Sequence, residues 1–148
     1  MVIPEIEISV KYKNCTTDDL TQIKSSEDSA KVCRNVFNGD KIEWVEEFIM
    51  ICLNRANKVT GFYKVSSGGI NGTVADKRVI FTIALNCLAT SIIICHNHPS
   101  GSLIPSSADK HLTEMIKKSG EILDIQLLDH IILTPDGKYF SFLDEGLI

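Results

Sequence analysis

Residues 91–112 read "SIIICHNHPSGSLIPSSADKHL". An unbroken apolar run leads into two histidines one residue apart and is then closed by proline. A run of that length between polar residues has the form of a buried strand. On an extended backbone residues i and i+2 leave the same face. His96 and His98 therefore share one face, and Cys95 and Asn97 share the other. Cys95 belongs to the core on this reading. Pro99 ends the strand because it cannot donate to a ladder, and Gly101 permits a sharp loop. Ser106 then stands as the N-cap of a helix over 106–119 that Gly120 closes. The apolar stripe of that helix is Ala108, Leu112, Met115, Ile116 and Ser119.

Two readings of this stretch compete. In the first, Ser106 and Asp109 form only a capping box, and the histidines are ordinary polar residues at a strand end. In the second, the helix start points a carboxylate at the two imidazoles. Two histidines and one carboxylate with an open fourth position make a catalytic zinc arrangement. Helix geometry favours Asp109 as the third ligand, since it lies about 75° from the centre of the apolar stripe. His111 lies roughly 200° from Asp109 around the same helix and is not expected to be a ligand. Other chemistries built on two spaced histidines fit poorly. Pro99, Ser100 and Gly101 stand where a metallo-β-lactamase-type site needs Asp and His. An amidohydrolase barrel needs a longer chain. A zinc deaminase needs HxE and PCxxC, and neither is present.

Outward from this stretch, strands and helices alternate. Toward the N-terminus, residues 5–12 alternate weakly and suggest a strand. Ser25 and Asp28 cap a first helix whose stripe is Ala30, Cys33 and Phe37, stopped by Asn38-Gly39. "EEFIMICLN" is a buried strand, "RANK" a turn and "VTGFYKVS" the returning strand of a hairpin. On that strand strict alternation puts Val59, Tyr63 and Val65 on one face, and Thr60, Phe62, Lys64 and Ser66 on the other. "SGGINGT" reads as a glycine-rich turn, with a phosphate-cradling loop as the rarer alternative. Thr73 and Asp76 are cap candidates for a helix over 74–89. Val79, Ile80, Ile83, Ala84, Cys87 and Leu88 nearly encircle it, so it is expected to be largely buried. Toward the C-terminus, "DIQLLDHIILT" is a strand, "PDGK" a turn and "YFSF" a last short strand. The pattern predicts one α/β sheet with helices packed on it.

Composition bounds the function. The 148 residues, 44% hydrophobic and 23% charged, suit a single domain with a core. We take 25–148 as that core and 1–24 as an N-terminal extension. A net charge of −4 gives no global attraction to nucleic acid. Five cysteines, an odd number without a CxxC pair, suit a reduced, cytoplasmic protein. The opening "MVIPEIEISVKYKN" lacks the form of a signal peptide, and no apolar run is long enough to span a membrane.

His96-Asn97-His98, seven residues, Ser106, two residues and Asp109 match HxHx7SxxD, and on these residues the chain resembles the JAMM (JAB/MPN) metalloproteases. "HNHPSG…PSSAD", with "LLDH" and a closing "SF", is similar to the RadC family in particular, from about residue 25 onward. The resemblance implies a three-layer α/β/α, cytidine-deaminase-like fold with a mixed central sheet and a Zn²⁺ site. It implies His96, His98 and Asp109 as metal ligands and Ser106 as oxyanion donor. It also implies a glutamate on an earlier strand that activates water, for hydrolysis of a peptide or isopeptide bond. RadC proteins carry the label "DNA repair protein", which a fold does not establish.

The resemblance sets that glutamate on the strand before the glycine-rich segment, where "VTGFYKVSSGG" holds no acid. The position falls on Lys64, or on Tyr63 after a slip of one residue. Glu43, Glu46 and Glu47 lie at the start of the preceding strand, and Glu47 serves only if the hairpin register brings it to the metal. Two functions therefore stand: a zinc-dependent hydrolase, or a catalytically impaired zinc-binding or partner-binding module. Asp129 and His130 point opposite ways from their strand, and either could support the ligands from behind or be a satisfied core residue. A peptide or protein substrate, no membrane and an unspecified oligomeric state complete the expectations. An exposed strand edge could pair with an extended peptide or with a second copy.

Overall fold

The computed structural model describes residues 1–13, 20–37, 39–68 and 74–148. Five strands form one sheet in the order β2-β1-β3-β4-β5: β1 Glu47–Leu53, β2 Val59–Ser67, β3 Ser91–Asn97, β4 Gln126–Leu133 and β5 Tyr139–Ser141. β3 and β4 are parallel, and the other neighbours are antiparallel. The sheet is mixed, as expected. Helix α1 (Ser26–Val36) covers one face. Helices α2 (Lys77–Asn86) and α3 (Ser107–Ile122) cover the other.

The layers follow from alternation along the buried strands. Phe48, Met50 and Cys52 of β1 pack with Ile80, Phe81 and Ala84 of α2 and Ile116 of α3. Ile49, Ile51 and Leu53 point the other way, onto Ala30 and Cys33 of α1. In β3, Ile92 and Ile94 join the first cluster, while Ile93 and Cys95 join the second. Every residue of β1 and β3 is buried, which is why both read as continuous apolar runs. No described helix is long and apolar enough to cross a membrane.

Several expectations need correction. Residues 5–12 form no strand, and Ile6 and Ile8 stay exposed. Residues 21–23 already dock on the hairpin, with Ile23 N–H donating to Asn57 O (2.9 Å) and Thr21 O accepting from Val59 N–H (2.8 Å). Strict alternation fails along β2. Its register on β1 shifts at Cys52/Leu53 and again at Phe48/Ile49. Each shift adds a residue and turns the following side chains over, so Val59 packs on the α1 side and Val65 on the α2–α3 side. α2 is shorter than expected and only half buried. Leu88 adopts a positive φ of 51° just past its end and is 85% exposed. The Thr73 cap candidate and most of the glycine-rich segment lie outside the described residues, and Asp76 caps α2 by accepting from Arg78 N–H.

Gly120 does not stop α3, which runs two residues further to Ile122. A Cβ at Gly120 would lie 2.2 Å from the carbonyl oxygen of Ile125, so glycine here is what lets the helix lie against the chain entering β4. Ala108 is exposed, and the buried line of α3 is Thr113, Ile116 and Gly120.

Candidate metal centre

Three elements deliver the site. β3 holds His96 at 1% exposure, where its Cα pairs with Phe48 and its ring stacks on the Phe48 ring (centroids 5.9 Å, 8° between planes). His98 follows the last residue of β3, and its backbone N–H still bonds Leu133 O across to β4 (2.8 Å). Its Nδ1 lies 2.7 Å from Ser102 O. A carbonyl only accepts, so His98 carries its proton on Nδ1 and turns a bare Nε2 into the site. Gly101, at φ 78°, makes the turn between them, with its N–H on His98 O (3.0 Å).

Helix α3 brings the carboxylate. Ser106 Oγ accepts from Asp109 N–H (3.0 Å), and Ser106 N–H donates to Asp109 Oδ2 (2.6 Å). The capping box is real, and it also aims the carboxylate, because the Oδ2 it holds turns the group toward the histidines and leaves Oδ1 free of the cap. Asp109 Oδ1 lies 3.3 Å from His96 Nε2 and Oδ2 lies 3.6 Å from His98 Nε2. The two Nε2 atoms are 3.0 Å apart. The two readings of the opening stretch are one structure.

His96, His98 and Asp109 thus converge as a group able to hold a metal ion. Two imidazole nitrogens and one carboxylate suit a borderline-soft divalent ion and leave a position open for a reactant. The electrostatics agree. Burial pushes the Asp109 carboxyl up, but the facing imidazoles of His96 and His98 outweigh it and hold the group well below the usual carboxylate range. The Asp109 carboxylate raises His98, with further contributions from the Ser102 carbonyl and the charge of Glu46. Four electron-rich atoms facing one point call for a cation there, whether a proton or a metal.

Ser106, His130 and Asp129, the other candidates of the sequence, stand around this group. Ser106 is exposed, and its hydroxyl lies 2.7 Å from Asp109 Oδ2. His130 is fully buried, 2.9 Å from His96 Nδ1 through its Nε2, and burial lowers its basicity well below normal. Asp129 faces away from it. Ser141 Oγ–H (2.7 Å) and the backbone N–H groups of Leu143 (3.1 Å) and His130 (2.7 Å) bond its carboxylate, so it ties β4 to the C-terminal turn. His111 is exposed and outside the group.

Lys64 is not where strict alternation puts it. Through the β2 register shifts its Cα pairs with Ile49, on the α1 side of the sheet, and its Nζ lies 3.4 Å from Glu47 Oε2. Both residues lie on the opposite side of the sheet from Phe48 and His96. Glu46 precedes β1, and its charge contributes to raising His98. Asn97 holds the segment that leads into β1. The buried amide of Asn97 accepts from Glu47 N–H (2.8 Å) and donates to Ile42 O and Val45 O (2.9 Å each).

A family model described as a RadC-like JAB domain matches residues 23–147. A UPF0758 protein of Flavobacterium johnsoniae is 47% identical over 146 residues, covering 99% of this chain and 62% of that protein. One from Porphyromonas gingivalis is 44% identical over 103 residues, covering 70% of this chain and 45% of its own length. One from Clostridium kluyveri is 35% identical over 147 residues, covering 99% and 63%. The chain therefore spans less than two thirds of the length of these relatives.

Proposed function

Starting from the premise that the chain belongs to the family of RadC-like JAB domains, we propose that it is a zinc-dependent hydrolase domain acting on a peptide or isopeptide bond. The observation that carries this reading is the convergence of His96 Nε2, His98 Nε2 and the Asp109 carboxylate. These three residues would hold the ion. Zinc, when bound, acidifies a water and polarises a carbonyl. The chain supplies the rest. Glu46 takes a proton from the attacking water on its carboxylate and returns it to the leaving nitrogen. The Ser106 hydroxyl, at the rim, donates to the oxygen that gains charge. The negative net charge of −4 favours a protein substrate over a nucleic acid.

A module that holds zinc without cutting is the competing reading. It draws on a lysine at the base position; the pairing of Lys64 with Ile49 and its ion pair with Glu47 speak for the hydrolase reading instead. Two measurements test the proposal. Purified protein is expected to hold about one zinc per chain, with His98→Ala losing most of it. Stoichiometric zinc in a His96/His98 double alanine variant overturns the ligand assignment. Glu46→Gln is expected to keep the zinc and lose on the order of 10²–10⁴ in hydrolysis of a fluorogenic peptide or isopeptide, while Lys64→Ala stays near wild type. Full activity in Glu46→Gln removes Glu46 as the base.

A further inference from the structure

We propose that Thr113 and His130 form a hydrogen-bond relay of fixed direction that keeps the proton of His96 on Nδ1 and leaves its Nε2 bare for the metal. The direction follows from one atom that can only accept. Thr113 Oγ1 lies 2.6 Å from the backbone carbonyl oxygen of Asp109. That oxygen has no proton, so the threonine hydroxyl donates to it and spends its only hydrogen there. The same Oγ1 lies 2.6 Å from His130 Nδ1. With its hydrogen used, it can only accept from that nitrogen, and His130 carries its proton on Nδ1.

A neutral ring protonated on Nδ1 has a lone pair on Nε2. His130 Nε2 lies 2.9 Å from His96 Nδ1, so His96 must donate, and its own Nε2 is left without a proton. That atom faces Asp109 Oδ1 at 3.3 Å. The relay thus begins on the main chain of one ligand residue and ends on the side chain of another. It runs through α3, β4 and β3, so those elements must be assembled before His96 is set.

Water has no way to replace a link. His130 is 0% and Thr113 1% exposed, and the His130 ring is stacked on Phe142 (centroids 4.5 Å, 10° between planes). His98 reaches the same state by one direct bond to Ser102 O. The buried His96 Nδ1 meets His130 Nε2 instead of a carbonyl, and the relay supplies the carbonyl at a distance. Thr113 and His130 are positioning residues in this scheme, since neither is among the converging donors.

The inference rests on the zinc reading for its purpose but not for its test. In metal-free protein labelled with ¹⁵N-histidine, two-bond proton–nitrogen correlations are expected to show His96 protonated on Nδ1 with Nε2 bare. Thr113→Val removes the hydroxyl at nearly constant shape and is expected to give His96 in both tautomers. Its zinc affinity, measured by chelator competition, is expected to fall about 10–100-fold, the usual effect of losing a group behind a metal-bound histidine. Thr113→Ser, which keeps the hydroxyl, is expected to restore both readouts. A wild-type His96 protonated on Nε2 overturns the proposal. So does a Thr113→Val variant with wild-type tautomer and affinity, or a Thr113→Ser variant as weak as the valine. If wild-type protein binds no zinc, the metal reading fails, and the tautomer measurement still decides the relay.

Discussion

Replacing Asn97 by alanine removes the clamp that holds residues 42–47 against the end of β3. The side chain makes three hydrogen bonds: it accepts from Glu47 N–H at 2.8 Å and donates to Ile42 O and Val45 O at 2.9 Å. Asn97 itself is 0% exposed. A net contribution of about 1 kcal/mol per bond gives about 3 kcal/mol, and a partner left buried without water raises the figure. At about 2–4 °C per kcal/mol for a domain of this size, the melting temperature should drop by roughly 6–12 °C. The local consequence is sharper than the global one. Amides of residues 46–48 should exchange hydrogen much faster than in wild type, because the segment is freed before the sheet opens. Zinc should stay bound, since no ligand changes, while the role proposed for Glu46 predicts that hydrolysis falls once residues 42–47 are released. The assays are thermal unfolding, hydrogen exchange, metal content and turnover on one preparation. A melting temperature within about 2 °C of wild type, with unchanged exchange at residues 46–48, refutes the clamp.

Gly120→Ala puts a methyl group 2.2 Å from Ile125 O. The cost should exceed about 3 kcal/mol despite a helix-propensity gain of about 1 kcal/mol, and a denaturant midpoint equal to wild type contradicts the close approach. Ser106→Gly should cost only a few tenths of a kcal/mol as a cap, against about 1 kcal/mol for Ser106→Ala, yet both should lose turnover alike. Activity that tracks stability instead makes Ser106 a cap only. The Asp109 carboxylate raises His98, so in metal-free protein its stabilising contribution is full below the unfolded histidine value and is lost as pH rises through the raised folded one. Zinc competes with that proton, so affinity should climb with pH over the same window. Chelator competition across the titration of His98 checks this, and a flat profile contradicts it.

Much of the site was legible because its parts are local. The i, i+2 histidines, the proline stop and the Ser106–Asp109 spacing each fix geometry within a few residues, and α3 starts where the spacing put it. What failed was non-local. Lys64 was misplaced because a β-bulge leaves no mark in a strand made of β-formers, and two register shifts turned the strand over. Thr113 drew no attention in the sequence, because its partner His130 comes from another element. Asn97 was correctly set on the face away from the histidines, yet its job is to hold a segment fifty residues upstream, and no spacing rule reaches that far. Gly120 has the form of a helix stop, and only the passage of the chain at Ile125 shows it as a point of contact.

Lys64 has a second consequence, for strand pairing at the edge of the sheet. β2 is the end strand of the sheet, and its "VTGFYKV" run is made almost wholly of residues that favour strands. Phe62 and Tyr63 on it are about half exposed, at 51% and 47%. Such an edge is a template for strand-to-strand association, and a lysine in its middle is a common guard against it. The exposed ammonium of Lys64, steadied by Glu47, must be desolvated before another strand can pair there. The residue that first looked like a catalytic defect is a charge set in the middle of the sheet's end strand, where edge pairing would have to desolvate it.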